Sequence, residues 1–302
     1  MQQTLTKDPK TPVQQKGSRR PNFLFIGPDK SGSTWLYQTL RLHPQVFLPS
    51  VKELFFFDRF YAKGWNWYGS YFKNTGERHQ IVGEICHDYL FSPLACERIA
   101  RDLPHAKLMV CLREPAQRAF SQYLYMVKVG LLQCDFESAL QSENELIEHG
   151  CYARYLSGYF QRFKRDQIHV AIFEDLVTDP QRFVDGICNF LNVERMLLPN
   201  QLQEKVLPAG KPKLRRLAKL ARGLGWNIRR LGFPGIVGRV KDSPLLTRVL
   251  YSSNGTNAMY PMPFGAQAYL RDLFAPEVQR LDELLVTNLS LRWGYSKTVR
   301  HL

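Results

Sequence analysis

Four short apolar runs, each joined to segments with helical spacing, constrain this chain more than any other feature. Asn22-Phe23-Leu24-Phe25-Ile26 stops at Gly27, and Ile81–Ile85, Lys107–Leu112 and Ile168–Phe173 are runs of the same kind. Continuous apolar stretches of this length suit strands buried on both faces. The first run is followed by a helical segment from about Thr34 to Leu42, closed by His43-Pro44. After Arg113-Glu114-Pro115, apolar side chains recur at Ala116, Ala119, Phe120, Tyr123, Leu124 and Val127. That spacing of three and four marks one face of a helix, and Pro115 suits its first turn. Tyr152, Tyr155, Leu156, Tyr159, Phe160 and Phe163 repeat the spacing, and Pro276 is placed to open a last helix carrying Val278, Leu281, Leu284 and Leu285. Strands alternating with helices predict an α/β fold: a central, mainly parallel sheet flanked by helices in three layers.

Charge narrows the partners. The chain has 302 residues and a formal charge of +14, which suggests an anionic partner. The excess is local, however. Residues 1–20 hold five basic residues against Asp8, and residues 205–248 hold twelve against Asp242. The rest is near neutral, which argues against a nucleic-acid-binding domain. The expected plan is a mobile basic tail over residues 1–20 and a single domain over 21–302, with a basic insertion at about 205–250. Leu214, Leu217, Leu220, Ala221 and Leu224 lie among the arginines and lysines of that insertion. Such a segment can close over an anionic site, lie on an anionic surface, or pack on the body by its leucines. A lid is the preferred reading. The first twenty residues carry no apolar stretch of a secretory leader, and no run nears the ~18 apolar residues of a membrane span. Six cysteines show neither a CxxC pair nor zinc spacing. A reduced, cytoplasmic protein is therefore expected, with no metal.

Gly27-Pro28-Asp29-Lys30-Ser31-Gly32-Ser33-Thr34 follows the first strand and opens the first helix. Backbone N–H groups there, with the positive end of the helix dipole, favour a phosphate or sulfate. The loop nearly fits GxxxxGK[ST], but the position after the second glycine is Ser33, and the only lysine is Lys30. A P-loop nucleotide kinase is thus the disfavoured enzyme alternative. A peripheral anion- or membrane-binding protein, driven by the basic insertion, is the non-enzymatic one.

KSGSTW after one strand and REPAQRAFS (Arg113–Ser121) after another resemble the two cofactor-binding motifs of sulfotransferases that use 3′-phosphoadenosine 5′-phosphosulfate. KELFFFD at 52–58, GEICHDYLFSP at 83–93 and GCYARYLSGYF at 150–160 are similar to segments of the heparan-sulfate type and its bacterial relatives. The likeness runs from about 22 to 195 and resumes at 270–295. It implies sulfuryl transfer to a hydroxyl, or an amine, of a carbohydrate or small natural product, with 3′-phosphoadenosine 5′-phosphate as the other product.

The resemblance also assigns roles. Lys30 would contact the oxygen bridging sulfate and phosphate, and Ser31, Gly32, Ser33, Thr34 and Trp35 would hold the 5′-phosphate. Arg113 and Ser121 would hold the 3′-phosphate, for which a guanidinium is well shaped. Glu53 would be the general base, its carboxyl partly desolvated by Leu54, Phe55 and Phe56. Tyr152 stands near the expected nucleotide site but also in an apolar stripe, so core packing is an equal alternative. Phe55–Phe57 read as core. One departure stands out: the family's lysine after the Gly-Glu pair is replaced by Ile85, and Cys86-His87-Asp88 follows. His87 is a catalytic candidate, able to supply a hydrogen bond or a proton.

Overall fold

The computed structural model describes residues 19–204 and 261–295. The expected tail up to residue 18 and the basic insertion lie outside the described residues. Five strands form the sheet: β1 (Phe23–Gly27), β2 (Val46–Phe47), β3 (Ile81–Ile85), β4 (Lys107–Leu112) and β5 (Ile168–Ile172). Their order is β2-β3-β1-β4-β5, and every pairing is parallel. The four apolar runs are all strands. β2, of two residues, has too little pattern to be seen in sequence.

Both faces of the sheet are covered, which explains why the runs do not alternate with polar residues. Leu24, Ile26, Leu108, Val110 and Leu112 face one core. Phe23, Phe25, Met109 and Cys111 face the other, as the period of two in a strand requires. Six helices frame this sheet: α1 (Ser33–Leu40), α2 (Pro93–Asp102), α3 (Pro115–Lys128), α4 (Tyr152–Phe160), α5 (Pro180–Leu191) and α6 (Phe264–Leu285). α1 and α5 pack in the second core. α2, α3, α4 and α6 supply the first. Three layers result, as the alternation of elements predicts.

The last helix differs from expectation. It begins at Phe264, twelve residues before Pro276, which sits inside it, and the proline at its N-cap is Pro263. An internal proline removes one backbone hydrogen bond and costs about 3 kcal/mol. Buried Leu270 and Phe274 precede it, and buried Val278 and Leu281 follow. Four such side chains contribute roughly 1.5–3 kcal/mol each, so packing holds the helix through the proline.

The strand order fixes where chemistry can sit. From β1 the chain moves to β2 and β3 on one side, then crosses to β4 on the other. A crevice opens outside the carboxyl ends of the strands at such a reversal. The loops after β1, β3 and β4 all meet there.

Candidate active site

The loop after β1 is shaped by two glycines. Gly32 is the N-cap of α1 with φ +87, and a Cβ there would lie 2.8 Å from Leu176 Cδ2. A Cβ on Gly27 would meet the His87 carbonyl oxygen at 2.4 Å, so its absence lets the end of β1 approach the chain after β3. Between them, Lys30 adopts φ +61, a left-handed conformation uncommon for residues other than glycine. Two contacts hold this turn. Arg113 Nη1 donates to the Lys30 carbonyl at 3.1 Å, and Ser31 Oγ donates to the Pro28 carbonyl at 2.7 Å. Lys30 Nζ sits 4.4 Å above the Tyr125 ring. Burial lowers its pKa to about 8, against the pull of Asp29 and aided by the charges of Arg113, Lys128 and Lys52.

Asp29 anchors the loop from behind. Its Oδ1 receives Arg118 Nη1 at 3.1 Å and His149 Nδ1 at 3.2 Å. Burial alone favours the neutral acid, but these cations outweigh it and the carboxyl titrates below its usual range. Arg118 is fully buried and also donates to Gln122 Oε1 and the Leu146 carbonyl, both at 2.6 Å. Neither Asp29 nor Arg118 was singled out in sequence.

Arg113 ends β4. Its guanidinium covers the Phe173 ring at 4.7 Å, and its carbonyl accepts from Tyr152 Oη at 2.9 Å. Tyr152 is buried: its ring packs in the core while its hydroxyl fixes the Arg113 backbone. Next to Arg113, Glu114 caps α3, accepting from the Ala116 and Gln117 amides. Ser121, half-buried, lies on α3 between Arg118 and Tyr125, the face that meets the loop. Trp35 is different. Its indole N–H donates to the Leu202 carbonyl at 2.9 Å and its ring meets Phe183 edge-on. Only its backbone amide, in the first turn of α1, remains suited to an anion; its side chain is packing.

Glu53 is not on a helix surface. It lies in the loop before a π-helical turn at Phe56–Phe60, with φ +66 and its amide donating to the Ile85 carbonyl at 2.9 Å. That bond ties it to the end of β3. Its Oε1 is 3.1 Å from His87 Nδ1 and 3.2 Å from Lys52 Nζ. His87 Nε2 is 3.0 Å from Asp88 Oδ1, and Asp88 in turn pairs with Arg59. Burial opposes a charged imidazole, yet Glu53 and Asp88 outweigh it and raise the His87 pKa to about 10. His87 is thus an imidazolium at neutral pH.

Its stability consequence has a definite sign. A raised folded-state pKa contributes stability that is full below the unfolded value of 6.5 and is lost as pH climbs to about 10. The melting-temperature gap between the wild type and His87→Gln should be widest near pH 6 and close towards pH 10. A gap independent of pH over that range contradicts the Glu53–His87–Asp88 pairing.

Glu84, next to Ile85, is the buried support of the base loop. It accepts from the Leu54 amide at 3.0 Å, Tyr68 Oη at 2.7 Å and Tyr89 Oη at 3.0 Å. Burial raises its pKa to about 7 despite those bonds. Tyr68 belongs to the aromatic cluster at 65–72. It stacks on Phe56 at 4.2 Å, so the cluster is core around the base loop. Phe55, Phe56 and Phe57 are buried too.

Lys52, next to Glu53 in the chain, is not confined to pairing with it. Its Nζ also donates to Ser33 Oγ at 3.0 Å and Thr34 Oγ1 at 3.1 Å. Glu174 and Asp175, which follow β5, tie other parts of the fold together. Glu174 accepts from the Glu114 amide and Trp293 Nε1, and Asp175 pairs with Arg292. Among the described residues no group of three or more His, Cys, Asp or Glu side chains is arranged to hold a metal, and no helix is long and apolar enough to cross a membrane. All six cysteines are unpaired. A separate groove of about 750 Å³ runs along β5, lined by Ile168, Val170, Phe190, Leu285 and Leu289 among others. It contains none of the loop or base residues, so it is not the reaction site.

Residues 20–207 match the family model described as a sulfotransferase domain. The chain belongs to that family. All five motif segments lie within that match. Among curated proteins, it is 34% identical over 161 residues to the membrane-associated sulfotransferase kil1 of Dictyostelium discoideum, covering 50% of this chain and 34% of that one. It is 31% identical over 192 residues to mouse heparan sulfate glucosamine 3-O-sulfotransferase 3A1, covering 60% of this chain and 48% of that one. The chain thus spans half or less of the length of these relatives. A solved sulfotransferase from Alicyclobacillus acidocaldarius superposes with a TM-score of 0.67 at 24% identity, covering 91% of this chain and 99% of that one.

Proposed function

We propose that this sulfotransferase-family chain moves a sulfuryl group from 3′-phosphoadenosine 5′-phosphosulfate to a hydroxyl, or an amine, of a carbohydrate or small molecule. The observation that carries the reading is the gathering of three cations around the β1–α1 loop and the first turn of α1, with a carboxylate beside Lys52. Lys30 and Arg113 come from the ends of β1 and β4, and Lys52 reaches the Ser33 and Thr34 hydroxyls. The residues fit the donor. Gly32 leaves the first turn open, its amides lack intrahelical acceptors, and Lys30 and Arg113 supply charge without a metal. Arg113 and Ser121 are the residues for the 3′-phosphate.

The donor supplies the transferring group: the acceptor oxygen–sulfur bond forms as the sulfur–bridging-oxygen bond breaks, and the electron pair leaves on the 5′-phosphate. Lys30 neutralises the charge developing on that bridging oxygen. Glu53 takes the acceptor proton. His87, an imidazolium held between two carboxylates, does not take it; it orients Glu53 through Nδ1. Of the three catalytic candidates, Lys30 and Glu53 keep that role in this reading, and His87 takes a positioning one.

Calorimetry with 3′-phosphoadenosine 5′-phosphate, and with adenosine 5′-phosphate as control, tests the donor assignment. The bisphosphate should bind at least about tenfold more tightly, the size of one charged hydrogen-bonding contact of ~1.5–3 kcal/mol. Arg113→Ala should erase most of that preference. Equal binding of both nucleotides by the wild type, or none, overturns the reading. Magnesium-dependent ATP turnover would instead favour a kinase.

A further inference from the structure

Lys52 stands between two groups that the proposed reaction needs on opposite sides of the moving sulfur. On one side its Nζ donates to Ser33 Oγ and Thr34 Oγ1, at 3.0 and 3.1 Å, in the turn that would hold the 5′-phosphate. On the other it lies 3.2 Å from Glu53 Oε1, the atom that would receive the acceptor proton. A group passing from that phosphate to that acceptor must pass this ammonium. We propose that Lys52 is a further catalytic residue, which leaves Glu53 when the donor arrives and binds the oxygens of the transferring sulfuryl group. The inference rests on the sulfotransferase reading above.

Three features of the site support it. An ammonium has three donors on a flexible four-carbon stem, so Lys52 can keep a hydroxyl of α1 while redirecting its other protons. Ser33 and Thr34 use only lone pairs to accept from it, and each hydroxyl keeps its own proton to donate to an anion. The charge is also well placed: Arg113 and Lys52 both act on Lys30 across the loop, and a polyanion seated there relieves that repulsion.

Glu53 gives the second half of the argument. One carboxylate oxygen offers about two lone-pair directions, and Oε1 faces both His87 Nδ1 and Lys52 Nζ. With both in place, little of Oε1 remains for an acceptor hydroxyl. Departure of Lys52 to the sulfuryl oxygens opens one direction while His87 still holds the carboxylate. Lys52 takes no proton in the step. Donor binding and readiness of the base are thereby coupled through one side chain.

The test exploits the one difference between donor and product. 3′-Phosphoadenosine 5′-phosphate lacks the sulfuryl group but keeps both phosphates. In Lys52→Ala, donor affinity measured by calorimetry should fall about tenfold, as for loss of one charge-assisted contact, while product affinity stays within about twofold. Lys52→Arg should recover part of the donor affinity, and circular dichroism of both variants controls for folding. If donor and product affinities fall together, Lys52 only supports Ser33 and Thr34, and the proposal is overturned. It is equally overturned if neither changes. A wild-type protein that binds neither nucleotide overturns the sulfotransferase reading itself, which is a distinct outcome.

Discussion

Glu53→Gln should bind 3′-phosphoadenosine 5′-phosphate as the wild type does and yet lose turnover by roughly 10²–10⁴-fold, the usual contribution of a positioned general base. Glutamine keeps the size and one carbonyl oxygen of glutamate, so the Glu53–Ile85 backbone bond and the loop around it need not move. What it cannot do is accept a proton at neutral pH. The measurement is single-turnover transfer to any acceptor the wild type sulfates, paired with calorimetry on the product nucleotide. Retained turnover removes the base assignment. Loss of nucleotide binding in step with turnover would show that Glu53 is structural. The design separates the two because Lys52 stands between Glu53 and the Ser33 and Thr34 hydroxyls on the nucleotide side.

The frame of this site was legible because burial leaves a mark on sequence. A strand covered on both faces must be apolar throughout, and β1, β3, β4 and β5 were readable for that reason. The loop was legible through Gly27 and Gly32, where a side chain has no room. Its partners were harder. Lys30 and Glu53 both adopt left-handed backbone conformations, yet neither is glycine or asparagine, so nothing local announces the turn. Each is imposed from a distance: by Arg113 on the Lys30 carbonyl, and by Glu84 and Ile85 on the segment at 53–54. Such strain at non-glycine residues gathers at functional sites, but spacing along the chain does not reveal it.

Lys52 and Asp29 escaped for a related reason. A lysine next to a glutamate reads as a surface pair, and an aspartate in a polar loop reads as solvated. Lys52 meets Ser33 across nineteen positions and Arg118 meets Asp29 across eighty-nine, separations at which sequence pattern carries no signal. Pro276 shows the opposite failure. A strong local signal for a helix start was overridden by apolar residues packed on both sides of it.

Lys30→Ala should reduce transfer by about 10²–10³-fold, the range for losing one group aimed at developing charge. A subtler consequence follows from its lowered pKa of about 8 in the free protein. The charged form is the one that binds an anion, so donor and product affinity should fall as pH rises through about 8. The sign is fixed by linkage: a nearby phosphate favours the ammonium, and binding near pH 8 must therefore draw a proton from solution. Calorimetry of the product nucleotide in buffers of different ionisation enthalpy reads that uptake directly. Lys30→Arg, whose guanidinium does not titrate in this range, should bind without the uptake and without the decline between pH 7 and 9. His87, at about 10, lies outside that window and cannot mimic the effect. A wild-type affinity that is flat across it would show that Lys30 is not the cation facing the phosphate–sulfate bridge.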